Sequence, residues 1–278
     1  MPHRQTVFTA VVLAFCLTLF YFPAGPASAQ EGQPAEAASE AASDAAAGLV
    51  GGTGEAPSAA EGAQEAVEDE EGVPASLMEA AENGDSFSQF KVAMFYYDGQ
   101  FVPEDKALAR EWFAKSAAQG YRQARLNLAI MMDVGDGGPQ DRAGALELYR
   151  DLARYDEPAA QFALGYAYDV GDGVEQNKEE AVRWYLVAAD YGSSPAMYNL
   201  AFIYENGEGV PVDKAKAVQW YREAVTYEHA AAKYRLALIL LEGAENVEPS
   251  RDEAVGLLTS SAEDGFSPAM EKLGEIEK

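Results

Sequence analysis

The sequence predicts an all-α solenoid of about five 36-residue helix–turn–helix repeats, closed by a capping helix at either end. Three observations predict it. Gly99, Gly135, Gly171, Gly207 and Gly243 stand 36 residues apart, and a fixed period of this length marks a repeat architecture. Other columns keep the same period: Val92, Leu128, Leu164, Leu200 and Leu236, then Ala93, Ala129, Gly165, Ala201 and Ala237. Within the unit Ser194–His229, two apolar stretches have helical spacing: Ala196, Leu200, Ile203 and Tyr204, then Ala217, Val218, Tyr221, Ala224 and Val225.

Residues at one phase of a period share one environment, so the columns read as buried seams. Trp112, Leu148, Trp184, Trp220 and, one residue late, Leu257 form another such column, which holds all three tryptophans. Between the two helices lies Asn206-Gly-Glu-Gly-Val-Pro, a helix-breaking cluster. Gly207 suits the left-handed residue after a helix end. Asp213 opens the second helix, and its counterparts Asp105, Asp141, Asn177 and Ser250 are good N-cap types. Asn177 with Glu180, and Ser250 with Glu253, have capping-box spacing.

In the third unit, Leu164-Gly165, Tyr168, Gly171-Asp-Gly173-Val174, Ala181, Trp184-Tyr185, Ala188-Ala189 and Gly192 resemble the Sel-one-like repeat. The resemblance covers about 77–278. It implies a right-handed, tetratricopeptide-like α-α solenoid used as a protein-binding scaffold. Some cysteine-rich relatives are described as β-lactam hydrolases, which makes an enzyme of that kind the alternative to a scaffold; this chain departs from that subgroup in having no repeat cysteine.

Along the chain, residues 1–29 are expected to be a secretory signal peptide. Arg4 precedes the 16-residue apolar core Val7–Phe22, and Ala27-Ser28-Ala29 is a small-residue cleavage site. Sixteen helical residues span roughly 24 Å, too short for a membrane anchor. The single cysteine, Cys16, lies in this segment. Residues 30–72 hold eleven acidic residues, no Lys or Arg and no aromatic residue, the composition of a disordered acidic tether. Residues 73–278 are the expected solenoid, with units at about Phe87–Tyr121, Arg122–Glu157, Pro158–Ser193, Ser194–His229 and Ala230–Phe266. Half-repeats at 74–84 and 267–278 cap it, and the fifth unit carries a one-residue insertion near Glu245-Asn246.

The chain has 20 Lys and Arg against 46 Asp and Glu, a net charge of −26. That argues against nucleic acid, whose phosphates need basic residues, and against an anionic lipid surface. Basic partners would be steered toward it. Membrane contact is expected only through the signal segment before cleavage. Catalytic patterns are missing: there is no Gly-x-Ser-x-Gly, no phosphate loop and no His-rich metal pattern. His229 falls in a column with Ser193 and Glu157 and reads as an ordinary turn residue. The Asp-Val-Gly-Asp loops at 133–136 and 169–172 put glycine at the third and fifth positions, not the sixth that a calcium loop requires. No cofactor, no metal and no enzyme activity are expected.

The resemblance implies that the first helix of each unit lines a concave groove. The inward positions would be Phe90, Met94 and Tyr97; Leu126, Ile130 and Asp133; Phe162, Tyr166 and Asp169; Tyr198, Phe202 and Glu205; and Tyr234, Leu238 and Leu241. Aromatic anchors beside carboxylates would suit a basic peptide. The same side chains would also serve to pack neighbouring helices, and the sequence is compatible with both. The function expected is that of an exported scaffold or regulator, periplasmic or extracellular. A secreted effector acting on a host protein is the alternative within the binding class.

Overall fold

The structure, a computed structural model, describes residues 72–276. The expected signal peptide and all but the last residue of the expected tether lie outside the described residues. Twelve helices and no strand are found among them. They are α1 (Ala75–Glu82), α2 (Ser86–Asp98), α3 (Lys106–Ala118), α4 (Arg122–Val134), α5 (Arg142–Ala153) and α6 (Pro158–Val170). There follow α7 (Lys178–Asp190), α8 (Ser194–Asn206), α9 (Lys214–Thr226), α10 (Ala230–Glu242), α11 (Arg251–Glu263) and α12 (Ser267–Ile276). Two compact units divide these helices, one ending at Gln176 and one beginning at Asn177. Within the first, the helices from α1 to α6 pack consecutively, one on the next; within the second, those from α7 to α12 do. This is the all-α solenoid architecture that the 36-residue period predicts.

Turn chemistry sets the helix ends. Gly99, Gly135, Gly171 and Gly207 end α2, α4, α6 and α8 at φ between +64° and +80°, the left-handed region. The side chains of Asp105, Asp141, Asn177 and Asp213 accept from the backbone N–H three residues on, at 2.9–3.0 Å. Two expectations fail at this level. Ser250 makes no side-chain cap. Glu180 does not reach back to close a capping box, because its carboxylate binds Arg183. Gly243 also departs from its column: its ψ is 170°, and the inserted loop closes as an isolated bridge between Ala244 and Val247.

The second glycine of each Gly-x-Gly turn has a separate task. Gly137, Gly173 and Gly209 lie against the start of the second helix one repeat earlier. A Cβ on Gly173 would stand 2.9 Å from Leu146 Cδ1, and one on Gly137 would collide with the Lys106 carbonyl. Only glycine allows this approach.

The seam lies one residue beyond the tryptophans. Phe113, Tyr149, Tyr185, Tyr221 and Leu258 are all buried, none more than 4% exposed. Trp112 is buried, but Leu148, Trp184, Trp220 and Leu257 are half-buried. One residue is 100° of helix, which turns the tryptophans to the edge of the contact. Four residues before each seam residue stands an alanine with no exposed surface: Ala109, Ala145, Ala181, Ala217 and Ala254.

A polar column ties the first helices α2, α4 and α6 each to the helix before it. The Gln89, Arg125 and Gln161 side chains donate to the carbonyls of Ala81, Ala117 and Ala153. These carbonyls lie at helix C-termini, where the N–H groups four residues on run out; those of Ala81 and Ala117 also accept from the turn N–H groups of Gly84 and Gly120.

The seam assignment has a measurable consequence. Tyr185→Ala should cost about 3–5 kcal/mol, the loss for a fully buried aromatic. Trp184→Ala should cost at least ~1 kcal/mol less, since part of its side chain already meets water. Chemical denaturation of the two variants compares them directly, and equal losses would place both residues in the seam.

Candidate functional site

The first helices α2, α4, α6, α8 and α10 carry the side chains with binding potential. The columns expected on them sort by depth. In the first, Leu126, Phe162 and Tyr198 are buried, while Phe90 and Tyr234 keep a half-exposed edge. Phe90 packs on Phe113 and Tyr121 with centroids at 5.8 and 5.1 Å. Tyr198 meets Tyr221 at 5.7 Å and stacks on His229 at 5.0 Å; Tyr234 meets Phe266 at 5.3 Å. This column therefore packs largely within the units.

The second column stays nearer the surface. Met94, Ile130, Tyr166, Phe202 and Leu238 are all half-buried at the same phase of the repeat. The third column, also half-buried, holds Tyr97, Asp133, Asp169, Glu205 and Leu241. Its charged members are not equivalent.

In the first unit, Arg142 lies 4.0 Å from Asp133 and 2.8 Å from Asp172. One guanidinium therefore serves both carboxylates. Burial, and then the charge of Asp172, push the Asp133 carboxyl up to about 6 against the pull of Arg142. The Tyr166 hydroxyl is raised by burial and by Asp172, Asp169 and Asp133. A half-exposed aromatic ring thus sits in a field of carboxylates.

In the second unit the charge is already used. Glu205 accepts from Arg235 at 2.9 Å and from the buried Tyr221 hydroxyl at 2.8 Å. Burial opposes the Arg235 charge, but Tyr221 and Glu205 hold its pKa above the ordinary value. The guanidinium also lies over the Phe202 ring, 5.4 Å from its centre. Glu205 is an internal partner, unlike Asp133.

The sequence reading missed Arg235, although a spacing announced it. Glu205–Arg235, Arg142–Asp172 and Lys178–Glu208 all join residues 30 apart, at 2.6–2.9 Å. It also missed Tyr155, Tyr191 and Tyr227. These lie 36 apart at the ends of second helices, each at least half exposed. A further feature follows the inserted loop. A cleft of about 480 Å³ opens there, walled by Val218 and Arg222 of α9, Leu240 of α10, and Val247 and Pro249. The Arg222–Glu253 pair, 2.8 Å apart, lies on its wall. Among the described residues no three His, Cys, Asp or Glu side chains converge as a metal site, and no helix is long and apolar enough to cross a membrane.

The family model of the Sel1 repeat matches residues 86–121, 122–153, 158–193, 194–226 and 230–266. The chain belongs to the Sel1-repeat family. Its repeats are similar in structure to c5321, a protective antigen of uropathogenic Escherichia coli strains with the same repeat fold, at 32% identity and a TM-score of 0.67. That match covers 72% of this chain and 43% of the antigen, so the chain spans less than half of that protein's length. A Sel1-repeat protein of Oxalobacter formigenes matches at 29% identity and a TM-score of 0.66, covering 70% of this chain and 79% of that one. No curated protein matches the chain. The Sel1 family is one of helical-repeat, protein-interaction scaffolds.

As a Sel1-repeat protein, this chain carries a carboxylate in its first unit that resists ionisation. The Asp133 pKa is higher in the fold than in the unfolded chain. Its contribution to stability is therefore present below the ordinary carboxylate pKa and is lost as pH rises through about 6. Asp133→Asn should melt higher than the parent at pH 7.5, with the advantage gone near pH 4. Thermal melts at the two pH values test this. An unchanged or lowered melting temperature at pH 7.5 would show that Arg142 compensates fully.

Proposed function

We propose that this protein is an exported, non-catalytic scaffold that binds a protein or peptide along the first helices of its repeats. The observation that carries the reading is the second column. Met94, Ile130, Tyr166, Phe202 and Leu238 recur at one phase, and each keeps part of an apolar side chain in water. A repeated apolar contact of this kind suits an extended partner, because each repeat can take one anchor. The carboxylates around Tyr166 favour a partner segment that bears Lys or Arg.

Export is supported by the N-terminal sequence, with its short apolar core and Ala-Ser-Ala site. A periplasmic setting fits best, and an extracellular one is compatible. Protein recovered from the native host should begin at Gln30 by intact mass. Retention of Met1 would refute export by this route.

Binding is tested on the helices themselves. The partner is first captured by cross-linking in the native envelope and identified by mass spectrometry. Tyr166→Ser with Phe202→Ser should then weaken its affinity at least tenfold, since one aromatic anchor contributes about 2 kcal/mol or more. Melting should stay within a few degrees of the parent. Unchanged affinity in a folded double variant would move the binding surface elsewhere.

A further inference from the structure

One histidine joins three helices at the start of the fifth repeat, two through its ring and one through its backbone. His229 is the N-cap of α10, and its Nδ1 accepts from the Ala232 backbone N–H at 3.3 Å. Its backbone N–H reaches the Ala224 carbonyl in α9 at 3.4 Å. Its ring stacks on Tyr198 of α8, with centres 5.0 Å apart and planes 7° from parallel. The residue is 2% exposed, and Nε2 is buried without a hydrogen-bond partner.

We propose that His229 is an acid-sensitive latch that holds the fifth repeat and its cap, α10–α12, on the fourth. The chemistry follows from the acceptor. Nδ1 can cap the helix only while it carries a lone pair, so the ring must be neutral with its proton on Nε2. A second proton goes to Nδ1. It removes the acceptor, sets two N–H groups against each other, and places a positive charge at a helix N-terminus, the end that repels it. The charge would also be buried, with no group to receive the Nε2 proton.

The column shows that this choice is particular to one joint. The matching positions are Asp85, Tyr121, Glu157 and Ser193. Asp85 and Ser193 cap with oxygen, and neither gains a proton near neutral pH. Burial, opposed by the backbone hydrogen bond, lowers the His229 pKa from 6.5 to about 4. A lowered folded value means that the stabilisation is complete above the ordinary pKa and is lost as pH falls from about 6.5 toward 4.

The charged and titratable groups on the surrounding elements do not cancel this. On α8, Glu205 is held by Arg235 of α10 and by Tyr221 of α9. Lys233 on α10 takes Glu228, from the turn beside His229, and Asp264. On α9, Arg222 pairs with Glu253, while Glu223 and the neighbouring Tyr227 face solvent. None of these groups accepts from Nε2. Because repeats depend on their neighbours, losing this joint frees the terminal repeat and leaves the rest in place. Release would also part Arg235 from Glu205 and expose that carboxylate.

Hydrogen exchange on the full chain, corrected for intrinsic rates, tests the latch. From pH 7.5 to 5.0, protection in 230–276 should fall roughly tenfold or more, with no such fall in 72–176. His229→Ser, which copies Ser193, should abolish that dependence and keep protection at pH 5.0. If the variant does not fold, the His229 pKa by NMR in the parent decides: a value well below 6 supports the latch, and one near 6.5 overturns it. A folded His229→Ser with the same acid loss overturns it as well.

Discussion

The second glycine of each Gly-x-Gly turn is the point where one repeat comes up against the start of the second helix in the repeat before it. Gly137 meets Lys106, Gly173 meets Arg142 and Leu146, and Gly209 meets Lys178. Those contacts join residues about 31 positions apart, and the ion pairs Arg142–Asp172 and Lys178–Glu208 lie beside them at a spacing of 30. The acid between two glycines is thereby delivered to the basic residue that opens the preceding second helix. Each pair is partly exposed and contributes at most about 1 kcal/mol. The glycine contact, not the charge, decides how near the turn can come.

Inside a repeat, the corresponding constraint is the size of the alanine. Ala109, Ala145, Ala181, Ala217 and Ala254 stand four residues before the seam residues Phe113, Tyr149, Tyr185, Tyr221 and Leu258. Residues four apart share a helical face. A methyl group lets the two helices of a repeat approach, and the aromatic ring then fills the space beyond. A larger side chain would overpack a close-packed interior. The seam can therefore vary between Phe, Tyr and Leu, whereas its alanine partner is invariant across the five repeats.

Much of this was legible in the sequence because it is periodic. The helical spacings that run from Ala196 to Tyr204 and from Ala217 to Val225 fall in the observed helices Ser194–Asn206 and Lys214–Thr226. Asp213 caps as its position requires. The phase of the seam was misread by one residue, since tryptophan attracts attention by size while depth is set by a rotation of 100°. The depth of Leu126, Phe162 and Tyr198 was not readable, because a column of large apolar residues looks the same whether it faces a groove or a neighbouring helix. Nor did the acidic column reveal that Glu205 is neutralised. Its partner lies 30 residues on, in a column otherwise occupied by Lys91, Asn127, Ala163 and Asn199.

Residues that obey the period build the scaffold and are interchangeable between repeats, so they cannot distinguish one site on it from another. The departures can, and they cluster in the last two repeats. His229 replaces an oxygen cap, and Arg235 places a guanidinium where the three preceding repeats carry Asn127, Ala163 and Asn199. The insertion at Glu245-Asn246 bends the last turn away from its left-handed glycine and opens the cleft beside Val247. Two of these changes meet on α10, whose N-terminus is held by an imidazole and whose middle is held by a guanidinium on Glu205. The first unit has the opposite proton response: neutralising Asp133 strengthens it, whereas charging His229 weakens the second. Two side chains at different phases of the repeat, one in each compact unit, thus answer acid with opposite sign.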